Sequence, residues 1–221
     1  MEKFKGGLYF IWFVFSIAIV VISMSIFKTK ILSIRRGWSK MQRFALGYKV
    51  EKIGEFDEEA NLILINHKSM VDIMILEEFH PKNLAWVAKK EIGDIFFLGK
   101  ILSLPNMISI DRNNPRSIVG LIKDAKDRVK NGRVIAIFPE GTRGRGDKIL
   151  KFQDGAKVVA KKLNLRVQPI VLKDTLQILN VKEFTVKKGL VKMKCLEVVD
   201  LNDENWYEKT RLNMQKAYDE L

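Results

Sequence analysis

Residues 66–72, NHKSMVD, place one of the chain's two histidines five positions ahead of a carboxylate. If a helix begins at Ser69, Asp72 falls on its first turn and His67 just before it. The carboxylate can then accept a hydrogen bond from one imidazole nitrogen, leaving the other as a base. The same residues resemble a capping box, with Ser69 at the N-cap and an acid at N3. Asp72 is therefore equally placed to hold the helix start and favour its positive dipole end, and both roles are open at this level. A serine nucleophile is not supported, because the chain has no G-x-S-x-G elbow and Ser69 is too close in sequence to align with His67. Cys195 lies in an expected strand with no base beside it. The expected proton donor to His67 is a substrate hydroxyl.

Two more polar clusters follow apolar runs. MISIDRNN brings Asp111 and Arg112; an arginine there suits bidentate phosphate binding, while Asp111 either pairs with it or caps the turn. IFPEGTRGRG is denser. Glu140 is placed to accept from hydroxyl groups, Thr142 and Arg143 to donate, and Gly141, Gly144 and Gly146 to bring backbone N–H groups close to a ligand. It lacks the G-x-x-x-x-G-K-[ST] of a nucleotide-hydrolysing loop. Lys89 and Lys90 add positive charge after another apolar run.

The elements that must position these residues alternate. Runs at 61–66, 83–88, 107–110, 133–138 and 166–172 read as buried strands, and 191–199 as a strand with one wet face. Helical patterns lie at 69–79, 115–131, 153–163 and 203–220, the last with Asp203 as a cap. This argues an α/β domain with a mixed, largely parallel central sheet flanked by helices. Ligands gather where such strands give way to loops, so His67, Asp111–Arg112 and the 139–143 turn are expected to form one site.

Charge and hydropathy name the partner class. The chain has 39 basic and 26 acidic residues, a net charge of +13, which favours an anionic partner. No nucleic-acid motif is recognisable. One cysteine excludes an internal disulfide, and no metal site is expected. Gly6–Phe27 runs 22 residues without a charge, about 33 Å as a helix. Seven basic and no acidic residues follow between Lys28 and Lys49, among apolar residues at helical spacing. That is a basic amphipathic segment suited to an anionic leaflet, or a basic face packed on the domain. The expected division is a membrane-anchoring segment, 1–46, and an α/β domain, 47–221, on the cytoplasmic side of the cell membrane.

The ordered blocks NHKSMVD, MISIDR, FPEGTR and VQPIV resemble those of the glycerolipid acyltransferases, the group containing the 1-acylglycerol-3-phosphate acyltransferases. The resemblance implies His67 and Asp72 as the catalytic dyad, with Lys89, Arg112, Glu140, Gly141, Thr142 and Arg143 lining the acceptor site. It implies acyl transfer to lysophosphatidate from an acyl-carrier-protein or coenzyme A thioester, at a phospholipid membrane, without cofactor or metal. Acylation of glycerol 3-phosphate or another lysophospholipid, or a non-catalytic basic membrane- or nucleic-acid-binding protein, is the alternative. Backbone N–H groups near Ser69 are candidate oxyanion donors. Met107 stands where the family block carries a small residue.

Overall fold

The computed structural model describes residues 2–114 and 116–221. In chain order the elements are α1 (Glu2–Ile26), a 3-10 turn (Lys28–Lys30), α2 (Ile31–Leu46), β1 (Tyr48–Ile53), β2 (Leu62–Ile65), α3 (Val71–Phe79) and β3 (Leu84–Lys89). There follow α4 (Lys90–Gly93), α5 (Lys100–Ser103), β4 (Ile108–Ile110), α6 (Ser117–Lys130), β5 (Val134–Ile137), α7 (Asp154–Leu163) and β6 (Val167–Lys173). The chain closes with α8 (Thr175–Ile178), β7 (Leu179–Asn180), β8 (Thr185–Val186), β9 (Gly189–Cys195) and α9 (Trp206–Glu220). Pro115, at the start of the helix expected over 115–131, lies outside the described residues.

Seven strands form one sheet in the order β1-β9-β6-β2-β5-β3-β4. β6, β2, β5, β3 and β4 run parallel, β9 runs antiparallel to β6, and β1 runs parallel to β9. This is the mixed, largely parallel α/β sheet that the alternating runs indicate. The central strands β2 and β5 are buried at every position, which is why they read as unbroken apolar runs rather than alternating ones. Alternate residues still serve opposite faces. Leu62, Leu64, Ile135 and Ile137 meet Val159, Trp206 and Met214; Ile63, Ile65, Val134 and Ala136 meet Met74, Ile75 and Leu46.

Connection handedness sorts the helices. The steps β2 to β3 and β3 to β4 move the same way along the sheet, so right-handed crossovers put α3 and α4–α5 on one face. The steps β4 to β5 and β5 to β6 reverse direction and put α6 and α7 on the other. α2 packs on α3, and α1 packs on α2.

β1 has no counterpart among the expected strands. Tyr48 and Val50 alternate with Lys49 and Glu51, but these charges merge with the basic stretch before them. The strand expected over 191–199 is Gly189–Cys195; beyond it, Leu196 and Val199 N–H bond the carbonyls of Pro169 and Val167. Met107 sits at the amino end of β4, its sulfur accepting from Trp86 N–H at 3.3 Å. It fills the core away from the strand exits.

The basic amphipathic helix uses its arginines inward. Arg35 is buried, pairs with Glu77 and donates to Asn83 Oδ1 at 3.1 Å. Arg36 donates to the carbonyls of His80 and Pro81, and Arg43 forks onto Glu78. Of the seven cations, these three follow the packed-face alternative and dock α2 onto the domain, while Lys28, Lys30, Lys40 and Lys49 are exposed. Between α1 and α2, Tyr9 Oη donates to Gln42 Oε1 at 2.9 Å, and Ser16 Oγ accepts from Gln42 and Trp38. Tyr9 therefore faces into the helix pair.

His80, at the end of α3, is buried edge-on to Phe56 at 4.8 Å. Burial pulls its pKa down to about 4, whereas the unfolded residue titrates near ~6.5. Between those values the unfolded chain takes up a proton that the folded chain refuses, so stability falls as pH drops from about 6.5 towards 4. Urea midpoints over that range should flatten in His80→Gln relative to wild type; parallel curves would exclude His80 as the cause.

Candidate active site

The exits of β2, β5, β3 and β4 lie side by side at the carboxyl edge of the sheet. They carry His67, the 138–143 turn, Lys89 and Arg112 respectively. Four segments distant in sequence thus share one rim.

At the centre, His67 Nδ1 lies 2.8 Å from Asp72 Oδ2. Asp72 is 0% exposed, and the same oxygen accepts from the N–H groups of Lys68 at 2.7 Å and Ser69 at 2.9 Å. The capping and pairing roles coincide in one atom, because the first turn of α3 folds the carboxylate back over the loop that holds the imidazole. Three nitrogens thus converge on one carboxylate oxygen. It can orient the ring and stabilise an imidazolium. Ser69 Oγ donates to Leu179 C=O at 2.7 Å and accepts from Val71 N–H, so it is a structural hydroxyl. The N–H groups of Lys68, Ser69 and Val71 are thereby engaged, and the expectation that amides near Ser69 supply the oxyanion contacts fails for these three.

Glu140 departs from its expected place. It is 2% exposed and points inward, Oε1 accepting from His67 N–H at 2.6 Å and Oε2 from Leu150 N–H at 2.7 Å. Gly144 N–H returns a bond to His67 C=O at 2.8 Å, so the 140–144 loop grips the His67 peptide at both ends. Burial pushes the Glu140 carboxyl up, while the two N–H donors and the Lys68 charge hold it down. Lys68, also buried, donates to Lys148 C=O, and burial lowers its ammonium pKa against the pull of Glu140, Asp72 and Asp147. Asn66 completes the brace, exchanging two hydrogen bonds with the Leu172 peptide across to β6.

The cations divide into two groups. Lys89 ends β3 opposite Ile110 of β4, so it stands beside the exit that carries Arg112. Gly141 has φ +73°, so a side chain there would be strained, and its Cβ would touch Arg112 Nη1 at 3.4 Å. Asp111 holds its own turn, accepting from Asn113 N–H at 3.0 Å. Thr142 is exposed. Arg143 reaches the other way, to Met70 Sδ, on the wall of a cavity of about 140 Å³ between Tyr9, Phe10 and Phe13 of α1 and Leu179.

The Acyltransferase family model matches residues 47–173, more than half of the chain. The chain belongs to the acyltransferase family. Among curated relatives, a 1-acyl-sn-glycerol-3-phosphate acyltransferase of Helicobacter pylori is 44% identical over 175 residues, covering 78% of this chain and 74% of that protein. One of the same description from Cocos nucifera is 30% identical over 79% of this chain and 56% of its own length. The crystal structure of the 1-acyl-sn-glycerophosphate (LPA) acyltransferase PlsC from Thermotoga maritima superposes with a TM-score of 0.76 at 21% identity, covering 99% of this chain and 93% of that one, and so shares the fold.

One part of this acyltransferase's site escaped the sequence reading. The Phe138 ring stacks on His67 at 3.8 Å and 13°, and Trp86 stacks behind it at 5.2 Å and 21°. Trp86 Nε1 donates to Glu77 Oε1 at 2.5 Å, and Glu77 is the partner of Arg35. The imidazole plane therefore rests on an aromatic pile anchored to α2. The aromatic ending of RVIAIF is the one local signal for it. VQPIV lies in the body of β6, where Pro169 pairs with Leu64, and supports the sheet beneath the rim.

Proposed function

We propose that this acyltransferase moves a fatty acyl group from an acyl thioester to the sn-2 hydroxyl of 1-acylglycerol 3-phosphate, giving phosphatidic acid. The carrying observation is the 2.8 Å His67–Asp72 pair, set on the same rim as Arg112 and Lys89. The two cations hold the acceptor phosphate and align its hydroxyl with the imidazole. His67 takes the hydroxyl proton as the oxygen attacks the thioester carbonyl, and Asp72 stabilises the imidazolium. The tetrahedral intermediate collapses with cleavage of the C–S bond, and the departing thiolate takes the proton back from His67. The donor is an acyl-carrier-protein or coenzyme A thioester. The cavity between α1 and Met70 suits a segment of acyl chain.

Lys5–Ile26 is long and apolar enough to cross a membrane, and Leu8, Ile11, Val14, Phe15, Ile19 and Ile22 present an exposed apolar row. Because α1 packs along α2, and the arginines of α2 bind the domain, a full crossing would carry those charges into hydrocarbon. We place α1 in one leaflet, with the rim at the membrane surface.

The test is thiol release by purified protein offered acyl-coenzyme A or acyl-carrier protein with a panel of acceptors. Lysophosphatidate should give the highest kcat/KM; preference for glycerol 3-phosphate or a phosphate-free acceptor would overturn the assignment. In Arg112→Ala the lysophosphatidate KM should rise about 10- to 100-fold with a smaller change in kcat; an unaltered KM would remove Arg112 from the phosphate.

A further inference from the structure

The segment between β3 and β4 carries a second outward apolar feature. Phe96 is 96% exposed, with Ile92 and Ile95 exposed beside it. Ile92 lies in α4, and Ile95 and Phe96 follow it in the turns that lead to α5. The segment is a built projection. Leu98 N–H bonds Phe96 C=O at 2.7 Å across Phe97, whose φ is +64°, and Gly99 N–H bonds Ile95 C=O at 2.8 Å. Its base is pinched so tightly that a Cβ on Gly99 would stand 2.0 Å from the Gly93 carbonyl oxygen. A left-handed phenylalanine and a closed base cost energy, and together they hold an apolar tip in water.

We propose that residues 92–97 form a second membrane contact, with Phe96 inserting into the same leaflet as α1. Three observations favour a bilayer as the occupant. Crossover handedness puts α4–α5 on the sheet face that carries α1 and α2. Lys89, Lys90 and Lys100 are exposed around the tip, as suits anionic headgroups above buried apolar side chains. The chain as a whole carries +13. Glu91 and Asp94 are also exposed in the segment, and Lys89, Lys90 and Lys100 outnumber them. The tip leaves β3 beside Lys89, and α1 lines the cavity bordered by Met70 and Arg143. Two contacts beside the rim would set its mouth against the interface. This inference rests on the membrane-facing reading of the site given above.

The experiment labels Phe96→Cys, in a Cys195→Ser background, with an environment-sensitive fluorophore in the full chain. Addition of vesicles rich in anionic phospholipid should shift the emission to the blue, and spin-labelled acyl chains should quench it. A label that stays in water with vesicles bound would overturn the proposal in favour of a protein-contacting loop. Independently, Phe96→Asp should lower the rate on acceptor embedded in vesicles by roughly tenfold and leave the rate on a short-chain, freely dissolved acceptor unchanged. Equal losses on both acceptors would overturn it by assigning the loop to the acceptor site. The label repeated in His67→Ala separates this proposal from the catalytic one, since insertion there is read without any acyl transfer.

Discussion

His67→Ala is expected to lower kcat by about 10²- to 10⁴-fold while leaving the melting temperature within a few degrees of wild type. The ring is the group left to take the hydroxyl proton, so its loss acts on the chemical step. Its contribution to folding is small by comparison: a stacked face on Phe138 and one hydrogen bond to Asp72. Asp72→Ala should look different. That carboxylate also accepts the Lys68 and Ser69 amides, and two buried N–H groups without an acceptor cost about 1 to 3 kcal/mol each. This variant should therefore lose both stability and rate. The double variant should be no slower than His67→Ala alone, because Asp72 acts through the imidazole. Single-turnover thiol release and thermal melts measure all three. Full activity in folded His67→Ala would remove the proposed mechanism.

The second large effect is expected at Glu140. Glu140→Ala removes the acceptor of two buried amides and takes from the buried Lys68 ammonium the strongest attraction acting on it. Two buried amides left without an acceptor cost about 1 to 3 kcal/mol each, a fall in melting temperature of about 10 °C for a chain of this size. kcat should fall as well, since the loop no longer grips the His67 peptide. KM should change little. Glu140→Gln keeps one acceptor oxygen and should be intermediate. A variant of normal stability and normal kcat, with a raised KM, would instead return Glu140 to the acceptor.

Much of the site was legible because its determinants are local. His67 and Asp72 are five residues apart, and a helix start brings them together whatever the rest of the fold does. The strand exits were legible for a related reason: apolar runs buried on both faces end abruptly in Gly, Pro and charge. The short α4 and α5, the β7–β8 hairpin and β1 carry few residues and weak patterns, and none of them stood out.

The sequence by itself determined the α/β alternation, the His67–Asp72 spacing and the charged segments at the strand exits. Tertiary structure decided which way ambiguous charges face. Glu140 and Arg143 are three residues apart in one loop, yet one is buried against an amide 73 positions away and the other reaches towards α1. In sequence Arg35, Arg36 and Arg43 suit a leaflet or a packed face alike; Glu77, Glu78 and the carbonyls of His80 and Pro81 claim them for the domain. A charge pattern records amphipathicity without naming the partner, and the partner that wins is whichever pairs and hydrogen-bonds the charge with least desolvation. That choice is made between residues 35 or more positions apart, and no local pattern can express it.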